Sequence, residues 1–305
     1  MNNLKIYVIL TVVMMIWGMN VSAVKMIVEH FPPMTINSLR VFTAGIVVFI
    51  LLGMMKKIRK PAKEEYLFIF FGGLLNVTCH HLFLSIGLAR TSAVNSGLIL
   101  GMGPLLTALL AIPFVGKRMT IVKGMGFILG GIGITLTVMG GGKGLSGMNL
   151  GDFYIFISIL AQAGSFIIIS KAAKSMDPRL LTGYMLIFGS AVSMLIGFWQ
   201  EPEGLGSLGG GSPLLWLLFA GSAVVATAAG HMLYNYAVGM VGPAETSIFL
   251  NLSTFFSLIG AALFLGETIT FAHLSGMVFI IGGVILGSGA LEELMLKRRI
   301  RKQAA

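Results

Sequence analysis

The chain has 305 residues, 56% of them hydrophobic and only 10% charged, with a formal net charge of +10. A soluble domain needs roughly 25% charged residues to keep its surface wet, so this composition and a mean hydropathy of +0.93 exclude an ordinary soluble fold. A single cysteine, Cys79, excludes a disulfide framework or a cysteine-based metal site.

Crossing the hydrocarbon core takes about 20 apolar residues. Ten segments qualify in chain order: 6–24, 34–55, 66–89, 91–116, 124–142, 153–170, 180–200, 213–244, 246–266 and 268–291. The first follows Lys5 and lacks a small-residue cleavage site, so it reads as a retained span and not a removed leader. The second is interrupted only by Arg40, near its start. The eighth is preceded by GLGSLGGGSP (204–213), a loop composition, and Pro213 suits the first helical turn.

The basic residues test this count. With the amino terminus in the cytoplasm, four of the 21 lie towards the outside: Lys25, Arg40, Arg90 and Lys143. The other seventeen fall inside, among them Lys56, Lys57, Arg59, Lys60 and Lys63, then Lys117, Arg118 and Lys123, then Lys171, Lys174 and Arg179. That bias satisfies the positive-inside rule and puts both termini in the cytoplasm. The tail KRRIRK (297–302) reads as an anchor facing anionic lipid, not as a nucleic-acid patch.

Sliding the chain against itself gives a match at an offset of 150 residues: Leu100 on Leu250, Gly116 on Gly266, Thr120 on Thr270, Gly126 on Gly276 and Gly133 on Gly283. His81 falls on His231, and the chain has only five histidines. Five spans per copy is an odd number, so the second copy enters the bilayer upside down. Inverted repeats are a transporter signature, with substrate held near the midplane between the halves. The expected fold is an all-α membrane protein of ten transmembrane helices in two inverted five-helix repeats, 1–142 and 143–292, followed by a basic tail, 293–305.

Several stretches carry a family resemblance: WGMN (17–20), Pro32–Pro33, Arg40, ARTSA (89–93), GMGPLLTALLA (101–111) and LGETIT (265–270). The chain resembles the EamA branch of the drug/metabolite transporter superfamily over nearly its whole length. The resemblance implies the same two-repeat layout, and a first span that lines the central path. It departs at Gly116–Lys117, where the family has Gly-Glu, and at Thr254, the repeat partner of Pro104. A mid-helix break therefore has sequence support in the first half only.

Ionisable groups inside a bilayer are costly and usually face a cavity. All eleven acids lie in loops or at span ends, so no carboxylate is placed to bind protons or sodium in mid-membrane. The candidates lining a substrate cavity are Trp17, Asn20, Asn76, His80, His81, Tyr184, His231, Tyr234, Asn235 and Asn251. His80 and His81 point about 100° apart on a helix, whereas His231, Tyr234 and Asn235 form one polar stripe. Interhelical hydrogen bonding, worth about 0.6 kcal/mol each, is the plainer role for any of them. His81 and His231 are also candidates for proton coupling, since imidazole titrates near physiological pH. Glu245 and Asn95 suit helix capping. Gly126–Gly130 and Gly283–Gly287 are small-xxx-small pairs suited to close packing, within the bundle or in a dimer.

The chain has no H-E-x-x-H, no G-x-S-x-G and no phosphate-binding loop. Neither a charged ring nor a repeated filter loop of the channel kind is visible. No enzymatic activity, cofactor or metal is expected. The expected partners are a small-molecule substrate and the lipid bilayer of a cell (inner or plasma) membrane, with the protein a monomer or homodimer. The expected activity is transport of small polar metabolites, amino acids or related neutral or zwitterionic solutes, by alternating access and in the direction of export. A multidrug exporter is the alternative.

Overall fold

The computed structural model describes residues 3–115, 120–140 and 149–287, apart from the side chains of Asn3, Leu4, Val115, 138–140, Ala244 and Glu245. Lys117, Arg118, Lys143 and the tail 293–305 lie outside the described residues. Among the described residues ten apolar helical segments run in order: α1 (Asn3–Val28), α2 (Pro33–Met54), α3 (Glu65–Leu88), α4 (Ala93–Phe114), α5 (Ile121–Gly140), α6 (Leu150–Ala172), α7 (Pro178–Gln200), α8 (Pro213–Val241), α9 (Thr246–Leu265) and α10 (Phe271–Gly287). Eight are long and apolar enough to cross a membrane, and α5 and α10 are shorter apolar helices.

Local chemistry sets the helix starts. Pro33, Pro178 and Pro213 each open a helix at its first turn, where a missing N–H costs nothing. Ser92, Asn149, Asp177 and Ser212 cap α4, α6, α7 and α8, their side chains accepting from Asn95, Gly151, Arg179 and Leu215 N–H groups. Gly266, at φ 65°, supplies the left-handed residue that ends α9. Burial would raise the carboxyl of Asp177, but hydrogen bonds and charge from Arg179, with a bond from Lys57, hold it down to about 2.

The packing obeys the repeat. Helix α1 lies along α9, and its repeat counterpart α6 lies along α4. Helix α7 packs on the middle of α3, and α2 on the middle of α8; α2 also packs along α7 and α5 along α10. The two halves thus interleave, and the pairings exchange when one copy is swapped for the other.

Both third helices carry the same irregularity. Helix α3 widens into a π-helical stretch at Gly73–Cys79 and α8 into one at Ser222–Ala229, each just ahead of the matched His81 or His231. Wide turns of this kind are frequent at functional sites because they re-aim the side chains that follow. Helices α4 and α9 are also both interrupted, after Leu100 and at Phe249. The second interruption corrects the expectation from Pro104 and Thr254: a break is present in both halves without a second proline.

The glycine pairs are used inside the chain. A Cβ on Gly283 would meet Gly126 O and Gly130 N, each at 2.7 Å, and one on Gly133 would meet Gly276 O at 2.8 Å. Helices α5 and α10 touch backbone to backbone through these positions. Two apolar cores flank the middle of the bundle. One, with Leu10, Leu52, Leu180 and Val238, lies towards the amino-terminal face; the other, with Val24, Leu88, Leu215 and Leu258, lies towards the opposite face.

Candidate functional site

Between those cores six helices, α1, α2, α3, α6, α8 and α9, place polar side chains. Trp17 follows Met14 on α1, Arg40 precedes Val41 on α2, His80 and His81 follow Val77 on α3, and Gln162 precedes Ala163 on α6. They surround a cavity of about 60 Å³. Its walls come from both repeats: Trp17, Asn20, Arg40, His80 and His81 from the first, Gln162, Thr227, His231 and Ser253 from the second.

Arg40 organises one side. It is 2% exposed, although it stands only seven residues, roughly 10 Å, beyond Pro33. Its Nη1 donates to Thr227 Oγ1 at 2.7 Å and Ser222 Oγ at 3.1 Å; its Nη2 donates to Asn37 Oδ1 at 2.8 Å and His81 Nδ1 at 3.3 Å. Arginine has only donors to offer, so His81 Nδ1 is the acceptor and the proton of the neutral ring sits on Nε2. His231 is the reverse: Nδ1 faces the Thr227 carbonyl at 3.2 Å and donates to it, leaving Nε2 with its lone pair. Neither Nε2 has a hydrogen-bond partner among the described residues. The two rings lie 5.0 Å apart, and Trp17 covers His231 at 4.7 Å while donating from Nε1 to Ala226 O at 2.8 Å. Gly230 makes room for that indole, since a Cβ there would meet Trp17 Nε1 at 2.5 Å.

His80 is held differently. Its Nδ1 faces Ser158 Oγ at 2.8 Å, and the Gln162 amide nitrogen donates to Nε2 at 2.9 Å. His80, His81 and His231 bring ligand nitrogens within 4.8 Å of one another, close enough for a metal ion. The hydrogen bonds argue against that use. His80 Nε2 already accepts from Gln162, His81 Nε2 carries the proton, and the Arg40 cation stands beside them.

Bonds cross between the repeats at both faces. On the face opposite the amino terminus, Glu201 at the end of α7 accepts from Met34 N (3.1 Å), Thr35 N and Thr35 Oγ1 (both 2.8 Å) at the start of α2. Glu267, after α9, accepts from Ala93 N and Val94 N, both at 2.8 Å, at the start of α4. Each carboxylate meets the positive end of a helix. On the amino-terminal face, Lys57 pairs with Asp177 at 3.3 Å, Arg59 donates to Ser175 O, and Tyr184 donates its hydroxyl to Arg59 O at 2.8 Å.

The EamA-like transporter family model matches residues 4–139 and again 149–289, once per repeat. The chain belongs to the EamA-like transporter family. It is 28% identical over 299 residues to the uncharacterized transporter YyaM of Bacillus subtilis, covering 95% of this chain and 96% of that one. An uncharacterized transporter of Archaeoglobus fulgidus is 23% identical over 93% of this chain, and a chloroplastic WAT1-related protein of Arabidopsis thaliana is 24% identical over 88%. A solved crystal structure superposes with a TM-score of 0.65 at 15% identity, over 93% of this chain and 97% of its own.

In this EamA-like transporter, five of the ten residues singled out from sequence line the cavity: Trp17, Asn20, His80, His81 and His231. The other five are not among its lining residues. Tyr234 stacks behind Trp17 at 5.0 Å; Asn76 bonds Ser165 across α3 and α6, and Asn235 bonds Thr182 across α8 and α7. Tyr184 belongs to the amino-terminal face, and Asn251 bonds Ile248 O one turn back on its own helix. Sequence reasoning used Arg40, near the outer end of the second span, only for orientation and left it out of the cavity candidates, although Asn37 at i−3 shares its face and receives its guanidinium.

Proposed function

We propose that this transporter moves small polar organic solutes across a cell membrane by alternating access, without chemistry on the solute. Amino acids and related metabolites are the class intended, export is the direction, and the amino-terminal face is cytoplasmic. One observation carries the reading: a cavity bearing polar side chains from both repeats lies between two apolar clusters. At about 60 Å³ it is far below the roughly 300–1,000 Å³ of an open ligand pocket, which fits a contracted state that widens as one face parts. The polar lining favours small polar solutes over large drug-like ones, and the basic residues crowding the amino-terminal face support its cytoplasmic placement.

The test is exchange in proteoliposomes preloaded with unlabelled amino acids, hydroxy acids or nucleosides, with the labelled solute outside. Counterflow of at least one class supports the carrier; leak that ignores preloading argues for a channel. His81 and His231 are proposed to couple transport to protons. With His81→Gln and His231→Gln, the ratio of uptake driven by a pH gradient to exchange at equal pH is expected to fall at least about 10-fold, whatever exchange each variant retains. The wild-type ratio in both variants contradicts the coupling.

A further inference from the structure

Arg40 brings a permanent positive charge into the middle of the bundle. Four hydrogen bonds hold the guanidinium, and every acceptor is neutral: a serine and a threonine hydroxyl, an asparagine amide oxygen and an imidazole nitrogen. Among the described residues no carboxylate pairs with Arg40, and none lines the cavity. Neutral acceptors orient a buried cation but do not cancel its charge, and an uncompensated charge in a low-dielectric interior is costly. The repeat does not balance it either, since the residue seven beyond Pro178 is Met185, where Arg40 stands seven beyond Pro33.

Next to this cation the wall offers two unused groups of opposite kind, the N–H of His81 Nε2 and the lone pair of His231 Nε2. Both rings are buried and belong to the cavity wall. The rest of the wall is mostly apolar or aromatic, with Trp17, Val21, Leu84 and Leu100 among it, and Asn20 and Ser253 add polar groups. A ligand suited to this wall carries one negative charge, an acceptor for His81, a donor for His231 and a small carbon frame.

We propose that the cavity is an anion seat in which Arg40 neutralises, and His81 Nε2–H binds, the carboxylate of a small organic acid, while His231 Nε2 accepts from its α-hydroxyl or α-ammonium group. The proposal rests on the carrier reading for its consequence, but binding is measurable without transport. A carboxylate fits better than a phosphate monoester, because one fixed cation and neutral imidazoles would leave a dianion half compensated. It fits better than a bare halide, because the apolar wall would then contact nothing. The plain alternative is that Arg40 only ties α2 to α3 and α8. That role would not discriminate between ligands.

Matched solutes separate these possibilities. Lactate and lactamide, and alanine and alaninamide, differ only in replacing the carboxylate by an amide. The full chain is purified in detergent and its thermal unfolding followed with each probe; the same protein in liposomes is assayed for counterflow of each. At least one carboxylate is expected to stabilise the protein and exchange, with its amide at least about 10-fold weaker in both assays. Arg40→Gln is expected to weaken the effect of the carboxylate about 10- to 100-fold, as for loss of a neighbouring positive charge. Arg40→Lys keeps the charge without the planar fork, and retains the preference for carboxylate at reduced affinity. If Arg40→Gln fails to fold, the Lys variant and the wild-type amide comparison still decide. Equal binding of acid and amide, or an Arg40→Gln variant that binds the acid as the wild type does, overturns the seat while leaving a carrier of other solutes standing. Binding of the acids without counterflow upholds the seat and removes the carrier. Failure of both acids to bind overturns the seat.

Discussion

Gly283→Leu is expected to lower the stability of the bundle by about 3 kcal/mol, the upper end of the range for overpacking, because the atoms it meets cannot move aside. The atoms a Cβ would meet at Gly283 are backbone: Gly126 O and Gly130 N at 2.7 Å and Gly130 Cα at 3.0 Å. Side chains can rotate away, but backbone can yield only if α5 and α10 part along their whole contact. The control lies on the same pair of helices. Gly131 has nothing within 4 Å of its Cβ position, so Gly131→Leu is expected to change stability by less than about 0.5 kcal/mol. Thermal unfolding in detergent compares the two. If instead Gly283→Leu left stability intact and only abolished a dimer on cross-linking, the glycine face would be intermolecular.

The second large effect concerns the face opposite the amino terminus. Glu201 and Glu267 each accept at least two backbone N–H bonds from the first turn of a helix in the other repeat. Charged hydrogen bonds of this kind contribute about 2 kcal/mol each, or roughly 30-fold in the population of the closed form. Replacing both by alanine is expected to open this face. A cysteine at Ser253, in the cavity wall, with Cys79 replaced by alanine, reports it. Its labelling by an impermeant maleimide from that face is expected to speed up at least about 30-fold in the double variant. An unchanged rate would mean that the carboxylates only cap helices and do not hold the face shut.

Much of this architecture was legible in the residues. Apolar segment length and charge asymmetry are set by the bilayer itself, and they yield ten segments without any knowledge of packing. The His81–His231 match marked symmetric positions because both histidines follow the same π-helical widening. The widening itself left no readable signal; Gly73–Cys79 and Ser222–Ala229 are compositionally ordinary helix. The site was half legible for a similar reason. Polar residues within a span are rare enough to be singled out, but cavity wall and interhelical bond draw on the same residue types. Asn76 and Asn235 therefore looked no different from Asn20, and only the neighbouring helix decides that they meet Ser165 and Thr182. Arg40 was placed correctly, inside the second span near its outer end, but a charge count used it only for orientation. The structure carries it inward to a partner set on three helices.

Alternating access about the central cavity is most directly tested by locking each face in turn. Thr35→Cys with Gly204→Cys closes the face opposite the amino terminus, where the Cβ positions lie 3.0 Å apart and need to part by about half an ångström to reach disulfide spacing. Lys57→Cys with Asp177→Cys, joined by a short cleavable thiol linker, closes the amino-terminal face at its ion pair. Counterflow of whichever labelled solute the Cys79-free protein exchanges is then measured before and after cross-linking. Each lock alone should abolish exchange, and reduction should restore it. Exchange that survives either lock would contradict a cavity reached from the two faces in turn.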